Sequence, residues 1–107
     1  MKKLLSAAVA TGNGSAIKLE SPNAFHGVEI VLNGTISTLS FDLKGSISGN
    51  FWGNLASYTM STTELLAGGV VFHVADKMVE HVMPHVSDYA GASGSSIDVY
   101  YTPYPSF

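Results

Sequence analysis

The sequence predicts an all-β fold, an antiparallel β-sandwich or jelly roll of about eight short strands with one helical turn near residues 62–67. Three observations carry that prediction. Apolar and polar residues alternate with period two, as in Leu39, Phe41, Leu43 and Ile47 against Asp42, Lys44 and Ser46. Gly, Asn and Ser clusters interrupt the alternating runs at a spacing of about 8–12 residues. A single stretch opens with a helix signal, and glycines close it within one turn. At 107 residues the chain supplies one domain. Such a chain buries roughly two-thirds of its unfolded surface, enough for one core.

The elements follow in order. Leu4-Leu5-Ser6-Ala7-Ala8-Val9-Ala10 behind two lysines has the outline of a secretory leader. The run is short for one, and Ser6 interrupts it. Gly12-Asn13-Gly14-Ser15 is turn chemistry, and Ala16-Ile17-Lys18-Leu19 alternates like a second strand. A first strand is therefore expected here, paired to the second through that turn, with no cleaved signal peptide. After a turn at Ser21-Pro22-Asn23, residues 27–32 form a strand with Val28, Ile30 and Leu32 on one face. Asn33-Gly34 predicts a tight hairpin into the strand at 38–47. Ser48-Gly49-Asn50 turns the chain into a strand at 51–59.

Ser61-Thr62-Thr63-Glu64 is a capping box, in which a hydroxyl and a carboxylate three residues apart satisfy each other's free amides. Gly68-Gly69 ends the turn it starts. Residues 70–74 are apolar on both faces, which predicts a central or covered strand. Residues 78–87 fit both periodicities. Pro84 would cost a helix interior about 3 kcal/mol but is tolerated in an edge strand, so an edge strand is expected. Residues 88–96 are expected as a flexible loop and residues 97–101 as the last strand. The domain thus runs from 1 to 101, with an aromatic, proline-containing arm at 102–107.

Composition narrows the function. The chain has no cysteine, which excludes disulfides, thiolate catalysis and cysteine-based zinc sites. It has five lysines, no arginine and a net charge of −3, so it lacks the basic patch of a nucleic-acid binder. No apolar run approaches the ~20 residues of a membrane-spanning helix. Only 12% of residues are charged, against about a quarter in an ordinary soluble domain. So neutral a surface suits a protein packed against neighbours.

Candidate chemistry is sparse. His81 and His85 flank Met83, and on a strand all three line one face. A metal would need a third ligand from His73 or Asp88, and Glu80 precedes His81 where a metalloprotease helix has its Glu after the first His. An interface face is expected in place of a metal site. A histidine pair there would charge as pH falls through ~6.5 and weaken assembly. No GxSxG nucleophile elbow is present, and the carboxylates sit singly at turns or outward positions, so neither enzyme chemistry nor a cofactor is expected. Asn13-Gly14-Ser15 and Asn33-Gly34-Thr35 match glycosylation sequons, but the turns account for both. Trp52 is expected in the core in preference to an exposed sugar platform. Tyr101, Tyr104 and Phe107 would be costly to leave in water. Either they dock on a neighbouring subunit or the tail folds back over its own domain.

The stretch Leu43-Lys44-Gly45-Ser46-Ile47-Ser48-Gly49-Asn50-Phe51-Trp52-Gly53-Asn54-Leu55 resembles the "GS-x-DG-x-x-W-x-x-L" hairpin of small β-sandwich modules, with Ser48 where those have Asp. Residues 63–77, TELLAGGVVFHVADK, resemble a "TELAAGG…FHV-x-DKP" segment of short bacteriophage virion proteins, and Met78 stands in place of their Pro. Residues 94–102 are similar to the ending of those proteins. The resemblance implies a small β-sandwich structural protein of the phage virion. Within that group it implies a capsid decoration or cement protein on the outer surface of the head, made in the host cytoplasm. Its expected partners are the major capsid protein and copies of itself, as a dimer or trimer. The alternative is a tail or fibre module that binds host carbohydrate through Trp52 and nearby tyrosines. No catalytic residue comes with the resemblance. Gly45, Gly49, Trp52, Gly68, Gly69, Asp76 and Lys77 are carried over as fold determinants.

Overall fold

The structure, a computed structural model, describes residues 2–23 and 25–104, with the backbone alone for residues 2, 7, 20–23 and 104. It is an antiparallel β-sandwich. The strands are β1 (Lys2–Ala8), β2 (Gly12–Asn13), β3 (Ile17–Asn23), β4 (Phe25–Asn33), β5 (Ile36–Ser46), β6 (Gly53–Thr59), β7 (Gly69–Val74), β8 (Val79–Gly91) and β9 (Ser96–Tyr104). One helix, α1 (Thr62–Ala67), lies between β6 and β7. A first sheet has the order β1-β9-β4-β7. In the second, β5 lies between β6 and β8, and β2 and β3 both pair with the far side of β8.

The core is the interior between these sheets. β4 contributes Val28 and Ile30, and β9 contributes Ile97, Val99 and Tyr101. The facing sheet contributes Leu39, Phe41 and Leu43 from β5, with Val82 and Val86 from β8. All obey period-two alternation, so each strand turns alternate residues onto the same interior. Burying each large side chain contributes about 1.5–3 kcal/mol.

Connectivity differs from the sequence expectation. Two predicted hairpins instead connect strands of different sheets. β1 pairs with β9, whereas β2 and β3 both pair with β8, so residues 9–11 carry the chain from one sheet to the other, and the turn residues that follow lie along one flank of β8. Asn33-Gly34 likewise joins β4 of the first sheet to β5 of the second, with Gly34 at φ 81°. Asn-Gly chemistry specifies a positive φ, and a sandwich corner uses that bend as readily as a hairpin does. Only the Ile47–Trp52 turn, with Gly49 at φ 86°, forms the expected hairpin, between β5 and β6.

Pro84 lies in a strand, as expected, but not at an edge. β8 has β5 on one side and β2 with β3 on the other. The Pro84 carbonyl accepts from the Gly14 N–H at 2.9 Å, on the β2/β3 side. A strand residue directs its N and its carbonyl to the same side. The missing N–H therefore falls on the β2/β3 flank, at the break between those two strands, and the ladder with β5 is left intact.

Three further boundaries change. β8 continues through Asp88, Tyr89, Ala90 and Gly91, paired with β5, so the predicted loop shrinks to residues 92–95. β7 stands at the end of its sheet, with β4 its one strand neighbour among the described residues, and its two faces differ: Val71 and His73 are exposed on the outer face while Phe72 and Val74 face in. Thr102, Pro103 and Tyr104 are not a free arm. They pair with Gly27, His26 and Phe25 of β4, beyond the last pair of β9 with β1 among the described residues, Lys2↔Tyr101. The rest of that arm, including Phe107, lies outside the described residues.

The capping box is present as expected. Ser61 Oγ accepts from the Glu64 N–H at 3.2 Å, and Glu64 Oε1 accepts from the Ser61 N–H at 2.9 Å. Gly68 closes the helix in the left-handed region, at φ 90°. The Tyr58 hydroxyl donates to the other Glu64 oxygen. That bond holds the carboxyl below its usual value and the phenol above its own.

Candidate functional site

The outer face of β8 is the one the alternation predicts. Val82, Pro84 and Val86 point into the core, while His81, Met83 and His85 are half-buried on the opposite face. The second sheet surrounds them with polar residues: Lys18 and Ser46 are in register with His81, Lys44 with Met83, and Asn13 and Asp42 with His85. The His85 Nδ1 lies 2.7 Å from the Asn13 side-chain oxygen, which only accepts, so Nδ1 donates. Trp52 belongs to this face and not to the core. It is half-buried, with its ring 6.2 Å from that of His81 and nearly perpendicular to it, at 71°. The tight turn before Trp52 sets it outside the sandwich, because residues 47–52 extend past the end of β5.

His73 sits on the outer face of the other sheet, two layers from His81 and His85. Sheets stack about 10 Å apart, so these imidazoles do not share a ligand. Among the described residues, no group of three or more His, Cys, Asp or Glu side chains is placed to hold a metal ion.

Tyr101 is not on a surface. It is fully buried and stacks against His26, with ring centroids 5.7 Å apart. His26, also fully buried, is the polar centre that the sequence reading missed. Its Nε2 lies 2.9 Å from the Lys77 carbonyl oxygen and its Nδ1 lies 2.6 Å from the Tyr101 hydroxyl. A carbonyl only accepts, so Nε2 carries the proton and Nδ1 accepts from the phenol. Burial holds His26 below its ordinary value of 6.5, against the smaller opposing effect of the Lys77 bond. Burial also pushes the Tyr101 phenol well above its usual range. The chain thus buries a neutral imidazole with both nitrogens satisfied. A signal for it was available: extending the Val28, Ile30 alternation back by two residues places His26 inward.

At one end of the sandwich three large apolar side chains lie open to solvent. Ile47 is 69% exposed and Phe51 83%, both on the β5–β6 turn, and Met78 is 56% exposed on the β7–β8 turn. The two turns meet there, and Ile47, Phe51 and Met78 line one shallow groove floored by Gly45, Gly53 and Val79. On the flank, Leu66 of α1 is 86% exposed and Val71 of β7 58%.

A scan of protein-family models and a search of curated proteins each found no match. Among solved structures the chain is similar to the crystal structure of SPBc2 prophage-derived protein YomS, with a TM-score of 0.58 and 9% sequence identity. The alignment covers 94% of this chain and 90% of that one. At this identity, what the two share is the fold, along nearly the whole of both chains.

Proposed function

We propose that this chain is a structural protein of a bacteriophage virion, and within it a decoration or cement protein bound to the major capsid lattice on the outside of the head. The observation that carries the reading is the open apolar end, where Ile47, Phe51 and Met78 stand in solvent on a chain with only 12% charged residues. Such a cluster marks a surface that another protein covers. Each side chain buried on a neighbour contributes about 1.5–3 kcal/mol, and a repeating lattice multiplies weak contacts through avidity. The fold shared with a prophage-derived protein, and the resemblance of residues 63–77 to virion proteins, support the phage setting.

The test is Phe51→Ser. Phe51 is so exposed that the variant keeps its folding stability within about 0.5 kcal/mol. Its occupancy on particles, measured by gel densitometry against the major capsid protein, falls. Unchanged occupancy removes this end of the molecule from the interface.

One observation favours a second reading, that of a tail or fibre module binding host carbohydrate. Trp52 lies outside the core, among polar side chains able to hydrogen-bond a sugar. Titration of its fluorescence with a panel of host-surface oligosaccharides separates the readings. Saturable quenching supports the carbohydrate module, and an unchanged spectrum supports the capsid one.

A further inference from the structure

The turn that joins β7 to β8, residues 75–78, is exposed along its whole length. Asp76 stands at φ 62°, the one positive φ at a non-glycine residue among those described. An L side chain adopts that region only where its surroundings hold it there. No backbone hydrogen bond closes the turn from within. Among the described residues, the one side chain that holds it by a hydrogen bond is His26, through the 2.9 Å contact of Nε2 with the Lys77 carbonyl. Met78, the next residue, lines the apolar groove with Ile47 and Phe51.

We propose that His26 is an acid-sensitive latch on this turn. In its neutral form it fixes residues 75–78; when it takes up a proton the turn releases, both sheets stay folded, and Met78 leaves its place at the apolar end.

The new proton falls on Nδ1, since Nε2 already carries one. Nδ1 faces the Tyr101 hydroxyl at 2.6 Å, so that hydroxyl must turn its own proton away. It is fully buried, and among the described residues it has no second partner. An ionised ring beside an orphaned hydroxyl is costly in a site without water. The charge also strengthens the bond to the Lys77 carbonyl, but burial is the larger influence on this ring. Water relieves the cost, and it enters where the walls are weakest. β4 is bound to β9 from Phe25↔Tyr104 to Asn33↔Ser96 and to β7 from His26↔Val74 to Val31↔Gly69, without a register shift in either. The turn has the His26 bond and a strained residue, so the turn yields first. The titratable groups around the ring, among the described side chains, are Tyr101 on β9 and Asp76 and Lys77 on the turn; β7 presents Val74, and β8 opens with the buried Val79. No charged side chain is among the causes that set the ring's proton affinity, and Lys77 acts through its carbonyl alone. The inference stands independently of the virion reading, because it is read on the free chain.

NMR of the free chain tests it, with the His26 ring titrated from about pH 7.5 to about 4.5 and backbone order parameters measured on either side of its midpoint. Residues 76–78 match the strands at the upper end, at roughly 0.85, and fall below about 0.6 once His26 is charged, while β4 and β9 keep their values. Below 6.5 the release grows by up to about tenfold per pH unit, the slope of a single proton. His26→Gln keeps a donor for the Lys77 carbonyl and has no proton to gain, so its turn stays rigid throughout. A charged His26 under a rigid turn overturns the proposal. So does a turn already mobile at the upper pH, a loss of order that reaches β4 and β9 together with the turn, or a glutamine variant whose turn releases in acid as the wild type does. The wild-type results decide even if that variant folds poorly.

Discussion

At the scale of single residues, the chemistry of this chain centres on His26. Its imidazole links β4, β9 and the β7–β8 turn through Tyr101 and the Lys77 carbonyl, and it is buried in the neutral form. Burial lowers its proton affinity in the folded state, so between that depressed value and 6.5 the unfolded chain binds a proton that the folded chain refuses. His26 therefore contributes its full stability above pH 6.5, and stability falls as pH drops from 6.5 toward the folded value. Urea unfolding at a series of pH values should show this slope, and His26→Phe should flatten it. Tyr101→Phe leaves Nδ1 without a donor and should cost about 1–3 kcal/mol at neutral pH. The alternation that placed Val28, Ile30, Val99 and Ile97 in the core also placed these two polar residues there. The expectation for Tyr101, docking on a neighbour or folding back with the tail, follows its proximity to a proline-containing segment and overlooks the period of the strand, which turns it inward.

At the scale of elements, strand existence was legible and strand partnership was not. Side-chain alternation reports which face is buried, and in a sandwich both sheets bury toward one interior, so the pattern is silent about which sheet a strand joins. That is why the connections through residues 9–15 and through Asn33-Gly34 resembled hairpins. Pro84 was legible as a strand residue but not as a central one, since the gap that accommodates it lies some seventy residues earlier, at residues 14–16. The capping box was fully legible because all its parts are local. Ser61→Ala should cost about 1 kcal/mol, read as a lowered thermal midpoint. Gly69 is constrained differently: a Cβ there would sit 2.6 Å from the Ile30 backbone oxygen, which cannot move aside without parting β4 from β7. Gly69→Ala should therefore destabilise the chain by about 1–3 kcal/mol and speed hydrogen exchange in β7.

At the scale of the whole molecule, the distribution of polarity separates two kinds of surface. The outer face of the second sheet is mixed and polar, carrying His81, Met83, His85 and Trp52 among Lys, Asp and Asn side chains. The end formed by Ile47, Phe51 and Met78, and the β7 flank with Val71, are apolar and open. The low charge that pointed to a life among neighbours was legible in composition. The places where neighbours would bind were not, because the end is assembled from two turns far apart in sequence. In the proposed account the apolar end faces the capsid, and a repeating lattice strengthens that weak contact through avidity. The most direct measurement is quantitative mass spectrometry of purified particles of the phage that encodes this chain. The account predicts a copy number in fixed proportion to the major capsid protein. Absence of the chain from the particles would contradict it.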